Sequence, residues 1–267
     1  NELIKRNAGR DTFILGFGGG VVLDITGFAA SLFKRGCRFG FVATSLLSMA
    51  DASVGGKNGI NFGNLKNLIG TINQPEWVVC DVKLLNTLPD EDFKSGLGEI
   101  MKYSMIADKN LLQFMNINNQ KILNKDFDVL NHLIKSSVNI KAGFVVEDEF
   151  DHGQRQHLNF GHSFGHAIET RINIKHGIAV AKGMLIATKI SVAMQICNKS
   201  LIDKISALIS SFDISLDYEI DDVVWQNIAN DKKNRGNKIR MILIRDIGDT
   251  IIHDFDIEEL KNIVQKI

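Results

Sequence analysis

Proline is nearly absent from this sequence, with two residues in 267. No internal repeat, low-complexity segment or obvious linker breaks the chain. Cysteine is scarce as well. Cys37, Cys80 and Cys197 are odd in number and widely spaced, and they lack metal-binding spacing, so they read as reduced thiols in a cytosolic protein. Neither sign of charge prevails. The 31 basic and 31 acidic residues cancel, which argues against bulk attraction to nucleic acid or to a membrane surface. No uncharged apolar run reaches the roughly eighteen residues that a membrane span needs. Asn1–Arg6 lacks the apolar run of a signal peptide. The expectation is a cytoplasmic protein with neither nucleic acid nor membrane as partner.

What is present is apolar residue in quantity. The hydrophobic share of 45% is enough for a large core and two domains. The chemistry concentrates in Leu158–Glu169, where His162 and His166 stand four apart and so share a helix face. His176 follows, placing three of the seven histidines within fifteen residues. Two imidazoles one turn apart can point at one divalent ion. An isolated pair reads equally well as core or capping histidines. Asn159 precedes the pair, Gly161 and Gly165 are read as keeping the surface around it open, and Glu169 closes the segment.

Earlier in the chain, Thr12–Gly16 reads as a buried strand running into Gly18-Gly19-Gly20 and then a helix from Val21 to Ala30. Strand, glycine turn and helix start together make an anion site, because glycine admits a phosphate close to the backbone and the helix start offers free N–H groups. The dinucleotide fingerprint is incomplete, since Val21 stands where its third glycine belongs. On its own the triplet reads equally as a tight turn. Phe39–Ala43 and Trp77–Asp81 read as further strands, with Met49–Asn61 as a loop able to wrap a polar ligand. Lys57 and Lys66, each taken alone, read as solvated loop charge. From Asp90 the pattern turns helical, and Glu99 and Lys102 share a face in an otherwise apolar segment. Residues 110–145, 178–196 and 200–212 read as helices, Glu147–Asp151 as a solvated acidic turn, Asp231–Gly236 as a basic loop and Lys238–Ile244 as a strand.

Taken together, Gly18–Gly27, Thr44–Gly70, Leu88–Tyr103, Leu158–Glu169, His176–Met184 and Asp231–Arg240 resemble the 3-dehydroquinate synthase family, in its order and over nearly the whole chain. The resemblance implies an α/β, Rossmann-like NAD-binding domain over residues 1–90, partial in this chain, and a mostly α-helical metal- and substrate-binding domain over 91–267. It implies Glu99, His162 and His176 as ligands of Zn2+, with Co2+ as an alternative. The histidine matching His166 serves substrate and proton transfer in the family. Three protein ligands would leave one position open for substrate. Asp51, Lys102, Lys141, Arg155 and Asn159 match catalytic positions. Lys57, Asn67 and Lys232 match substrate-binding positions. Arg35 matches an arginine that reaches the neighbouring subunit's site, which implies a homodimer. Gly19, Gly20, Asp24, Thr44, Ser45, Asp51, Lys57, Lys66 and Thr87 match positions at NAD.

The implied reaction converts the sugar acid phosphate DAHP to 3-dehydroquinate and phosphate, with NAD reduced and re-oxidised in each turnover. Five cations, Lys57, Lys102, Lys141, Arg155 and Lys232, suit a substrate carrying phosphate and carboxylate. Rival readings are a sibling sugar-phosphate cyclase, a metal-dependent polyol dehydrogenase of the same fold, and an inactive relative. Two departures stand out. Ile178 replaces a family Glu beside the third ligand, which changes the surroundings of the metal. The family also carries a segment ahead of the Gly18–Gly20 triplet that this sequence lacks, so the expectation is a retained metal site and a weakened NAD site.

Overall fold

In the computed structural model, residues 1–63, 65–229 and 238–267 are described, with the backbone alone described at 65–67. The first layer is a parallel three-stranded sheet. Strands β1 (Phe13–Gly18), β2 (Arg38–Ala43) and β5 (Val78–Cys80) lie in the order β1-β2-β5. Phe13 pairs with Arg38 and Gly18 with Ala43, and on the other side of β2 Phe41 pairs with Val78. β2 is the central strand, and Phe39, Phe41 and Ala43 are buried in it. β1 is an edge strand and not the buried one expected. Leu15 and Phe17, which share one face of the strand, are 51% and 60% exposed.

Helix α1 (Gly20–Leu32) starts directly at the end of β1 and buries Leu23, Gly27 and Ala30, spaced for one helix face. The expected loop at Met49–Asn61 is more ordered than its glycines suggest. Ser48–Ala52 makes a short π-helical turn, and Lys57–Phe62 is strand β3, paired antiparallel with β4 (Leu65–Ile72). Glycine content misled here because Gly55 and Gly56 make the bend ahead of the strand, with φ of +98° and +67°, and do not mark the end of regular structure.

Helix α2 (Asp90–Ala107) begins after Pro89, with three acidic residues in its first turn. From Phe93 to Ile106 it is almost wholly buried, so replacing Leu97, Ile100 or Met101 by Ala is worth about 2–5 kcal/mol. Helices α3 (Lys109–Ile117) and α4 (Phe127–Glu147) follow, each with an aspartate, Asp108 and Asp126, accepting backbone N–H bonds at its start. α5 (His162–Ile172), α6 (His176–Ala193), α7 (Ser200–Ser210) and α8 (Asp222–Ala229) complete the bundle. The hairpin of β6 (Lys238–Asp246) and β7 (Asp249–Asp256) lies against α6, and α9 (Ile257–Val264) ends the chain.

Two glycines set the distance that matters most. A Cβ on Gly98 would stand 2.0 Å from the Gly177 carbonyl oxygen, and one on Gly177 would stand 1.7 Å from that of Ser95. The backbones of α2 and α6 therefore touch, which brings Glu99 up to His176. Gly161 and Gly165 have the same use and do not keep a surface open: Cβ atoms there would meet Met184 and the Val180 backbone on α6.

Candidate active site and metal centre

At the floor of the site Glu99, His162, His166 and His176 converge. Glu99 comes from the middle of α2, His162 and His166 from one face of α5, and His176 from the first residue of α6. The three imidazoles offer ring nitrogens within 4.8 Å of one another. Glu99 Oε1 lies 3.5 Å from His162 Nε2 and 3.4 Å from His176 Nε2. That oxygen is fully buried and receives no well-formed hydrogen bond from the described residues. The other carboxylate oxygen accepts from Lys102 Nζ. Meanwhile the far nitrogens are engaged: His162 Nδ1 is 3.2 Å from the Phe160 carbonyl, and His176 Nδ1 is 3.0 Å from Glu169 Oε2. Partners that only accept keep a proton on Nδ1, which leaves Nε2, the nitrogen facing Glu99, for a cation. A buried carboxylate oxygen and two imidazole nitrogens turned toward one point fit a divalent cation, which would take the place of the Nε2 protons. Burial raises the Glu99 carboxyl, but Lys102 and His176 outweigh it and hold the group below its ordinary value.

Above this floor opens a cavity of about 740 Å³. Lys102, Lys141 and Arg155 line it and are buried, and Asp24, Asp51, Lys57 and Asn159 share its wall. Lys141 Nζ is 2.6 Å from Asp51 Oδ1 and 2.7 Å from the Asp51 carbonyl. The buried Tyr103 hydroxyl donates to the same Oδ1, and Lys102 Nζ stands 4.7 Å over the Tyr103 ring. Burial raises the Asp51 carboxyl, yet Lys141 and Lys102 beside it pull it well below its usual value. Burial lowers the Lys141 ammonium, and Asp51 offsets this only in part. For Asp24 burial wins, pushing the carboxyl up to about 7 against the pull of Lys141.

Arg155 is committed more deeply than a free anion binder would be. Its Nη2 donates to the Gly55 carbonyl at 2.8 Å and its Nη1 to the Glu149 carbonyl. The acidic turn is likewise more than a solvated run. Asp148 accepts the backbone N–H groups of His152, Gly153 and Arg155, and Asp151 pairs with Lys57 at 2.5 Å. Lys57 thus lines the cavity at its exposed side and bridges to this turn, more than a loop charge alone.

On the sheet side, Gly19 caps α1 without any side-chain bond, leaving the helix start open toward an anion. Thr44 N donates to the Gly18 carbonyl at 3.0 Å, and Ser45 Oγ would be 3.3 Å from a Cβ on Gly19, so these residues form one small cradle. Gly20 adjoins Ala52, next to Asp51. Thr87 is exposed at the end of a 3-10 segment, and Arg35 is exposed after α1; neither lines the cavity. The side chains of Lys66, Asn67 and Lys232 lie outside the described residues. Ile178 packs against the core. Sequence reasoning gave no role to Tyr103, Asp151, Gln156, Glu169 or Arg240. Tyr103 and Glu169 were findable, since one stands a helical turn after Glu99 and the other three residues after His166; the others meet the site only through tertiary packing.

Comparison with known proteins agrees with this geometry. Residues 1–95 match the family described as 3-dehydroquinate synthase N-terminal, and residues 96–234 match 3-dehydroquinate synthase C-terminal. The chain belongs to the 3-dehydroquinate synthase family. The family's member from Dictyoglomus thermophilum is 45% identical, over 92% of this chain and 71% of its own length. Its member from Streptococcus pneumoniae strain JJA is 37% identical, over 99% of this chain and 76% of its own. Among solved structures, a 2-deoxy-scyllo-inosose synthase complexed with carbaglucose-6-phosphate, NAD+ and Co2+ superposes with a TM-score of 0.90 at 25% identity, covering 99% of this chain and 77% of that one. A probable glycerol dehydrogenase from Sinorhizobium meliloti shares the fold more loosely, with a TM-score of 0.63 at 16% identity, covering 99% of this chain and 78% of that one. Among the described residues no helix is long and apolar enough to cross a membrane.

Proposed function

We propose that this chain acts as a 3-dehydroquinate synthase, a lyase that converts DAHP to 3-dehydroquinate and phosphate. The observation that carries the reading is the meeting of Glu99, His162, His166 and His176 beneath a cavity walled by Lys102, Lys141, Arg155 and Lys57. Glu99, His162 and His176 would hold the cation, Zn2+ or Co2+, while His166 would face substrate and move protons. The Gly19–Gly20 turn, Thr44, Ser45 and Asp24 would hold NAD. When bound, the nicotinamide accepts and returns a hydride and the cation acts as a Lewis acid on substrate oxygens.

The chain's own residues supply the rest. Lys141 and Arg155 bind the carboxylate end of the substrate, and Lys57 meets the phosphate. Asp51, held ionised by Lys141 and hydrogen-bonded by Tyr103, orients hydroxyls at the reacting ring. Lys102, buried beside Glu99, presents an ammonium to the hydroxyl that loses its hydrogen. Oxidation to a ketone acidifies the neighbouring C–H, so phosphate leaves by β-elimination. The carbonyl is then reduced, the ring opens, and an intramolecular aldol closes the carbocycle. Under this reading the nucleotide-binding part ends near residue 90, the helical part follows, Arg35 serves the partner subunit of a homodimer, and the enzyme works in the cytoplasm.

The test is phosphate release from DAHP with NAD and Zn2+ supplied. The expected outcome is stoichiometric phosphate and 3-dehydroquinate without accumulation of NADH. NADH building up with turnover would instead identify a polyol dehydrogenase. Absence of both products at saturating NAD would refute the synthase reading.

A further inference from the structure

Glu169 lies on α5 with 7% exposure, a buried carboxylate that the reaction above does not use. It follows His166 by three residues, on the face of α5 that carries the cation site. Its Oε2 stands 3.0 Å from His176 Nδ1, on the opposite edge of the ring from Glu99. His176 Nε2 is 3.4 Å from Glu99 Oε1. The imidazole is thus held between two carboxylates from different helices. An ionised carboxylate only accepts hydrogen bonds, so Glu169 keeps the hydrogen on His176 Nδ1 and leaves Nε2 as the nitrogen for a cation. His162 is held differently, by the neutral Phe160 carbonyl at 3.2 Å. Of the two imidazoles beside Glu99, one is therefore oriented by a dipole and the other by a full negative charge, which also makes its ring the more basic donor.

We propose that Glu169 is a positioning residue of the metal centre: through Nδ1 it fixes the tautomer and ring orientation of His176, and so sets the affinity of the chain for a divalent cation. The inference rests on the reading of Glu99, His162 and His176 as ligands. Glu169 touches neither the cation nor the substrate.

The experiment titrates Zn2+ into the whole chelator-stripped chain against a chromophoric competitor, and records the visible absorption of the Co2+ form. Glu169→Ala is expected to weaken Zn2+ binding by about 10–100-fold and to alter the Co2+ bands. Glu169→Gln keeps the volume and an acceptor oxygen but not the charge, and is expected to be weaker than the original by several-fold. It also serves if the alanine variant fails to fold. A purely structural role would lower the melting temperature of the stripped variants while leaving Zn2+ affinity and the Co2+ bands as they were, and that result overturns the proposal. His162→Ala is run alongside. If it binds Zn2+ like the original, the metal-centre reading itself fails; if it loses the metal while both Glu169 variants keep full affinity, only the role of Glu169 falls.

Discussion

Arg155 Nη2 donates to the carbonyl of Gly55, one hundred residues away in sequence, at 2.8 Å. The same guanidinium reaches the Glu149 carbonyl through Nη1. One side chain therefore ties the bend before β3 to the turn before α5, and does so at the cavity wall. Its remaining N–H groups are the ones available to an anionic substrate.

Gly55→Ala is expected to break this arrangement. A Cβ there would stand 2.5 Å from Arg155 Nη2, and the glycine has a φ of +98°. Strain alone costs about 1–3 kcal/mol. Denaturant unfolding should show that loss, and turnover should fall with it because Arg155 is displaced. Unchanged stability would mean that the bend relaxes freely.

Arg155→Lys keeps the charge but cannot span both carbonyls. Turnover should drop at least tenfold, stability should fall by about 1–3 kcal/mol, and the Kd for NAD should stay within twofold. An equal loss of NAD affinity would contradict the assignment of Arg155 to the substrate.

His162→Ala and His166→Ala should part company. Zn2+ should raise the melting temperature of the original chain and of His166→Ala, since a ligand of the folded state stabilises it. It should not raise that of His162→Ala. If both variants lose the thermal shift equally, His166 is a ligand as well.

Asp24 gives a pH signature in the ligand-free protein. Burial raises its carboxyl from 3.8 to about 7, so the folded state binds a proton that the unfolded state releases. A carboxyl raised in this way costs stability as pH climbs from about 4 to about 7, by a few kcal/mol at most. Asp24→Asn should lose less stability over that range than the original chain. Parallel stability curves for the two would show that Asp24 ionises normally.

Tyr103→Phe keeps the ring under Lys102 and removes the hydrogen bond to Asp51. Leaving a buried carboxylate oxygen short of one donor costs about 1–3 kcal/mol. Unfolding should report that loss, with Zn2+ content unchanged. Equal stability would mean that Lys141 alone satisfies Asp51.

Sequence by itself determined the helices between Asp90 and Phe212, the three strands of the first sheet and the types of residue at the site. Those follow from apolar periodicity, glycine turns and histidine spacing, all of which act over a few residues. It even put His162 and His166 on one face, because four residues make one turn. It read Leu15 as buried, β3 as loop and Asp148 and Asp151 as solvated, because none of these depends on neighbours in the chain. Only the tertiary structure decided that Glu99 meets His176, that Glu169 backs that ring, and that Arg155 reaches Gly55. Each of these is a distance between separate elements. The first is set by backbones in contact at Gly98 and Gly177, where a single Cβ on either residue would drive α2 and α6 apart.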